Sequence, residues 1–160
     1  MCGFDLVEPL DQFTVSSLEA AFSEYSVICF RNQNPSPNEL IACARHYGEP
    51  QKLFLNRYAI TDYLEIPNVS NIKENGQDIG YADEGIAWHS DMSFYKRSPR
   101  ATILHAREVP IDRSGAILGD ILFASVIKAY DPLSDEMKKR LEDLCVRHDV
   151  ADNCGLYGGL

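Results

Sequence analysis

Trp88-His89-Ser90-Asp91-Met92-Ser93-Phe94 sets a histidine and a carboxylate two residues apart. Read as a strand, it alternates side chains between two faces, so His89 and Asp91 point the same way and Ser90 the other. An imidazole and a carboxylate on one face are two of the three donors in the facial triad that holds non-heme Fe(II) with positions left for oxygen and a co-substrate. The pair alone is a common pattern on solvated surfaces. Its surroundings carry the argument.

Upstream, residues 78–84 form a polar, glycine-containing segment that reads as a loop or lid. Downstream, Ser98-Pro99-Arg100 breaks the chain, and residues 101–106 read as a strand rich in apolar and β-branched side chains. A lid running into a metal-binding strand suits a site that admits substrate and then excludes water.

With these neighbours the chain resembles the taurine dioxygenase-like group of Fe(II)- and 2-oxoglutarate-dependent dioxygenases. The matching blocks include Gly3-Phe4-Asp5-Leu6 with Pro9-Leu10, Val27-Ile28-Cys29-Phe30-Arg31-Asn32-Gln33, and Ala44-Arg45-His46-Tyr47-Gly48-Glu49. Beyond Trp88-His89-Ser90-Asp91 with Phe94 come Val109-Pro110, Gly119-Asp120-Ile121-Leu122-Phe123-Ala124-Ser125, Ala129-Tyr130 and Leu133-Ser134. Their order makes the resemblance far more specific than the metal pair.

The resemblance implies an α+β, mainly β fold, an incomplete double-stranded β-helix (jelly roll) flanked by helices, with residues 1–160 as one domain. It implies Fe(II) bound by His89 and Asp91, 2-oxoglutarate as co-substrate, and hydroxylation of a small organic acid by O2. Trp88 is expected to pack beside the site. Relatives complete the iron site with a distal histidine and hold 2-oxoglutarate with an arginine, both far beyond position 160. Where they usually place a threonine after Gly-Asp, this chain has Ile121, which has no hydrogen-bond donor. The expectation is therefore a truncated chain or one half of a split protein. The alternative is a non-catalytic remnant that works by associating with itself or with a complementing chain.

Composition narrows the field. A length of 160 residues suffices for a domain with its own core. A net charge of −9 and a pI near 4.8 leave no basic stripe for a nucleic-acid partner. No apolar run reaches the length of a membrane span, and the start lacks the features of a secretion signal. Cys2, Cys29, Cys43, Cys145 and Cys154 are scattered and odd in number, which fits reduced thiols in a cytoplasmic protein. A zinc hydrolase is the poorer reading, since it needs a third protein ligand and a general base and no His-Glu-x-x-His helix is present, and neither Cys29 nor Cys43 stands in a recognisable reactive setting.

The local pattern predicts a helix capped by Ser17, with Leu18, Ala21, Phe22 and Tyr25 on its buried face, leading into a strand at 27–30. It predicts a second helix with Ser36 as N-cap, Pro37 first and Glu39 closing a capping box, stopped by Gly48. Residues 64–72 read as a strand interrupted by Pro67. A late helix begins near Ser134, with Met137, Leu141 and Leu144 on one side and its charges solvated. Of the other histidines, His148 aligns with one that relatives do not use for iron, and His105 reads as a core or hydrogen-bonded residue. His46 sits where a helix C-terminus favours an imidazole.

Overall fold

The structure is a computed structural model that describes residues 5–52, 57–82, 85 and 87–148. Cys2, Gly3, Phe4, Cys154 and the Asp83-Glu84 part of the expected lid lie outside the described residues. The chain falls into two units, one running to Ile103 and one spanning Leu104–His148.

In the first unit, helix α1 (Gln12–Tyr25) starts earlier than its apolar periodicity suggests. Asp11 is the N-cap, its carboxylate accepting the Thr14 N–H at 2.7 Å. The hydrogen bonds from Thr14 hold the Asp11 carboxyl below the ordinary carboxylate range. Ser17 therefore lies inside the helix, where its hydroxyl donates to the Phe13 carbonyl at 2.9 Å. Leu18 is buried to 2% exposure, Ala21 and Phe22 are half-buried, and Tyr25 is exposed, so the apolar face closes over only three of the four expected positions.

Helix α2 (Pro37–Arg45) is capped as its sequence dictates. Glu39 accepts the Ser36 N–H at 2.7 Å while the Ser36 hydroxyl takes the Glu39 N–H at 3.4 Å. The helix ends before Gly48, at a His46 C-cap in right-handed geometry. Cys43 on this helix is buried, which pushes its thiol pKa up. The Phe22 and Tyr47 rings meet edge-on at 5.9 Å.

Two short antiparallel sheets follow. Strand β1 (Ala59–Ile60) pairs with β2 (Tyr63–Pro67), and β3 (Lys73–Glu74) pairs with β4 (Gln77–Asp78). The second hairpin turns at Asn75-Gly76, with φ of 51° and 78°. Positive φ at both central residues is the geometry of a type I′ turn, which asparagine and glycine accept most readily. The expected strand at 64–72 ends at Pro67, and Val69 beyond it makes a bridge to Tyr81. The segment expected as a free lid is thus paired at both Asp78 and Tyr81.

Gly80 precedes Tyr81 of this bridge, where nothing larger fits. A Cβ there would stand 2.7 Å from the Ser70 nitrogen and 2.9 Å from the Asn68 oxygen, both backbone atoms. Gly80→Ala should therefore destabilise the chain by about 1–3 kcal/mol, the usual range for overpacking. A urea midpoint equal to that of the parent protein would contradict this packing.

Residues 27–30, 88–94 and 101–106 are not strands, contrary to the sequence pattern. Apolar and β-branched side chains favour extended backbone, but a strand also needs a neighbouring backbone to pair with. Residues 27–30 and 101–106 have no ladder assigned to them, and residues 91–94 turn, with Met92 at φ 51°.

In the second unit, Asp112 organises a loop closed by an Ile111 to Ile117 bridge. Its carboxylate accepts the Ser114 hydroxyl and N–H at 2.6 and 2.8 Å and the Ala116 N–H at 2.9 Å, which lowers its pKa. Helix α3 (Val126–Tyr130) is capped by Ser125. The expected late helix is α4 (Asp135–Leu141), with Ser134 as N-cap, acidic residues first and basic residues last. Its apolar positions Met137 and Leu141 are exposed, as is Leu144, which lies beyond its end.

The described strands form these two small sheets, and no barrel closes among them. Among the described residues no helix is long and apolar enough to cross a membrane. Cys29, Cys43 and Cys145 are free thiols.

Candidate metal centre

His89 and Asp91 meet, although not by strand alternation. His89 Nε2 lies 3.0 Å from Asp91 Oδ1, with the two side chains 41% and 45% exposed. The loop brings them together through local contacts. His89 Nδ1 lies 2.8 Å from the Ala87 carbonyl oxygen. The turn after Asp91 is closed by the Tyr95 N–H donating to the Met92 carbonyl at 3.0 Å.

The ring chemistry follows from the partners. A carbonyl oxygen can only accept, so Nδ1 carries the proton in that contact. In the neutral ring Nε2 then presents a lone pair to a carboxylate oxygen that also has only lone pairs. Two electron-rich atoms facing each other call for a cation, either a proton on Nε2 or a metal ion shared by both. First-row divalent ions bind imidazole nitrogen and carboxylate oxygen at about 2.1 Å, so two such donors at a right angle stand roughly 3.0 Å apart. Fixing Nδ1–H on a backbone carbonyl is also how proteins orient histidine ligands.

The second Asp91 oxygen is engaged as well. Thr102 Oγ1 donates to Asp91 Oδ2 at 2.6 Å, the short distance of an O–H bonded to a carboxylate. Thr102 and Asp91 both line a cleft of about 330 Å3, together with Ser90, Ser93, Ser98 and Arg100. Arg100 Nη1 reaches Glu19 Oε1 at 3.0 Å, which ties the cleft wall to α1. Sequence reasoning treated Thr102 as one residue of a strand and Arg100 as part of a break. Nothing in the spacing of Thr102 from Asp91 signals their contact, because it depends on how the chain returns after Pro99.

Trp88 is 71% exposed, so it does not pack beside the pair as expected. His46 is an exposed C-cap of α2. His105 and His148 belong to the second unit, the first half-buried and the second exposed. Among the described residues no group of three or more His, Cys, Asp or Glu side chains could hold a metal ion. The residues present therefore fit two adjacent positions of an Fe(II) facial triad in donor type and separation, and the third protein donor is not among those described.

The family model described as "Taurine catabolism dioxygenase TauD, TfdA family" matches residues 2–155. The chain is 35% identical over 153 residues to a pentalenolactone F synthase from Streptomyces avermitilis, covering 94% of this chain and 49% of that protein. It is 32% identical over 166 residues to an alpha-ketoglutarate-dependent 2,4-dichlorophenoxyacetate dioxygenase from Cupriavidus pinatubonensis, covering 96% and 55%. An alpha-ketoglutarate-dependent sulfate ester dioxygenase from Pseudomonas putida is 28% identical over 148 residues, covering 91% and 44%. The chain thus spans about half the length of these curated relatives. No solved structure matches it significantly.

Proposed function

The chain belongs to the taurine catabolism dioxygenase (TauD/TfdA) family, and from that premise we propose that it serves an Fe(II)- and 2-oxoglutarate-dependent oxygenase that hydroxylates a small organic acid. In this reading His89 and Asp91 are iron ligands, and the short antiparallel hairpins belong to a jelly roll. The observation that carries the proposal is the 3.0 Å approach of His89 Nε2 to Asp91 Oδ1 with Nδ1 committed to a backbone carbonyl.

When bound, Fe(II) with 2-oxoglutarate would supply the oxidising chemistry with O2 as oxidant, one oxygen atom going to the succinate formed as the keto acid loses carbon dioxide and the other to an unactivated carbon of the substrate. The chain's own residues prepare the site. The Ala87 carbonyl keeps the proton of His89 on Nδ1 and aims Nε2 at the cation. Asp91 adds an anionic oxygen beside it. Arg100 lines the same cleft with Nη1 paired to Glu19, and its remaining guanidinium N–H groups are donors that suit an organic acid. Two of the relatives are named as dioxygenases of 2,4-dichlorophenoxyacetate and of sulfate esters, which supports acidic substrates in general without choosing one.

The proposal is tested by succinate formation. Purified chain supplied with Fe(II), 2-oxoglutarate and a panel of aryloxy and sulfonated acids should release succinate, and Asp91→Ala should abolish that release. Equal succinate from both proteins would contradict the assignment.

A second reading is favoured by one observation in the second unit. Ile121, Leu122, Phe123, Val126 and Ile127 are 59–77% exposed within seven residues. An apolar stretch of this kind marks an association surface. In this reading the chain acts by pairing with itself or a complementing chain. A monomer that stays soluble and monodisperse at high concentration in sedimentation velocity would count against it.

A further inference from the structure

We propose that Thr102 is a positioning residue for the metal centre: its hydroxyl holds one oxygen of Asp91 so that the other faces His89. The proposal rests on the reading of His89 and Asp91 as metal ligands and extends it to a residue that ligates nothing itself.

A free aspartate rotates about two side-chain bonds, and on a surface loop it samples several orientations. Asp91 is 45% exposed and sits in a turn, so packing alone does not fix its carboxylate. The Thr102 contact does. Its Oγ1 donates to Oδ2 at 2.6 Å, at the short end of hydrogen bonds to ionised acceptors. With Oδ2 held, Oδ1 is left 3.0 Å from His89 Nε2. The two ligands are then fixed from opposite sides, His89 by the Ala87 carbonyl and Asp91 by Thr102. The contact also joins residues eleven apart in the chain, on either side of Pro99. Threonine suits the task because its branched Cβ restricts the side chain and leaves the hydroxyl few orientations.

Supporting partners of this kind cost about 10–100-fold in metal affinity when removed. The test uses Mn(II), whose loss of free-ion EPR signal reports binding directly and without turnover. Thr102→Val keeps the shape and removes the hydroxyl, while Thr102→Ser keeps the hydroxyl. The expected result is Mn(II) affinity reduced by about 10-fold or more in Thr102→Val and restored to within about 3-fold in Thr102→Ser. The threonine is exposed, so neither change threatens folding, and circular dichroism checks this. Unchanged affinity in Thr102→Val, with binding lost in His89→Ala, would overturn the role of Thr102 and leave the ligand pair intact. Unchanged affinity in His89→Ala would overturn the ligand reading itself.

Discussion

Replacing His89 or Asp91 with alanine is expected to weaken Fe(II) binding more than any other single change, by more than about 100-fold, beyond the 10–100-fold that loss of a supporting partner costs. The reason is the donor set. The pair provides one nitrogen and one anionic oxygen 3.0 Å apart, and among the described residues no third group stands ready to replace either. Loss of His89 leaves a lone carboxylate, which binds divalent ions weakly in water. Loss of Asp91 removes the charge that offsets the metal's own and the anchor that meets Thr102. Anaerobic equilibrium dialysis with Fe(II) measures both. Affinity within threefold of the parent protein in the two variants would reject the pair as ligands.

Leu18→Ala is expected to be the most damaging change to stability. Leu18 is 2% exposed and, with Cys43, makes up the buried apolar set among the described residues. Truncating a buried leucine removes its transfer energy and leaves a cavity, a loss of about 2–5 kcal/mol. Half-buried neighbours such as Phe22 can collapse inward, which places the expected cost near the lower end, about 2 kcal/mol. Phe13 on the same helix is 80% exposed and supplies the control. Phe13→Ala should change stability by no more than about 0.5 kcal/mol. Urea denaturation followed by circular dichroism reads both, and equal midpoints for the two variants would show that α1 does not pack through Leu18.

What the sequence revealed follows the range of the forces involved. The caps of α2 and α4 were legible because Ser36 with Glu39, and Ser134 with the acids after it, act within one turn of backbone. The start of α1 differs from the Ser17 reading because two caps compete locally, and the Asp11 carboxylate bonded to Thr14 lies about two turns before the apolar stripe begins. The Asn75-Gly76 hairpin carried a strong signal, an asparagine-glycine pair between polar strands, that a search for apolar alternation passes over. Residues 27–30 and 101–106 have the side chains of strands, yet no ladder is assigned to them. Pairing depends on where another segment lies, and side-chain type does not specify that.

The candidate site divides in the same way. Residue type and spacing single out His89 and Asp91, whose side chains do meet, but strand alternation is not what brings them together. A turn with Met92 at φ 51° and a bond to the Ala87 carbonyl bring the two groups together. Thr102 was invisible because its contact with Asp91 is made by the path of the chain after Pro99.

Whether His89 and Asp91 hold iron is read by an anaerobic titration of the purified chain with Fe(II) and 2-oxoglutarate, watching the visible metal-to-ligand charge-transfer band of the chelate. A band is expected in the parent protein and is expected to be absent in His89→Ala. A band of equal intensity in both, or none in a folded parent protein, would contradict the ligand assignment.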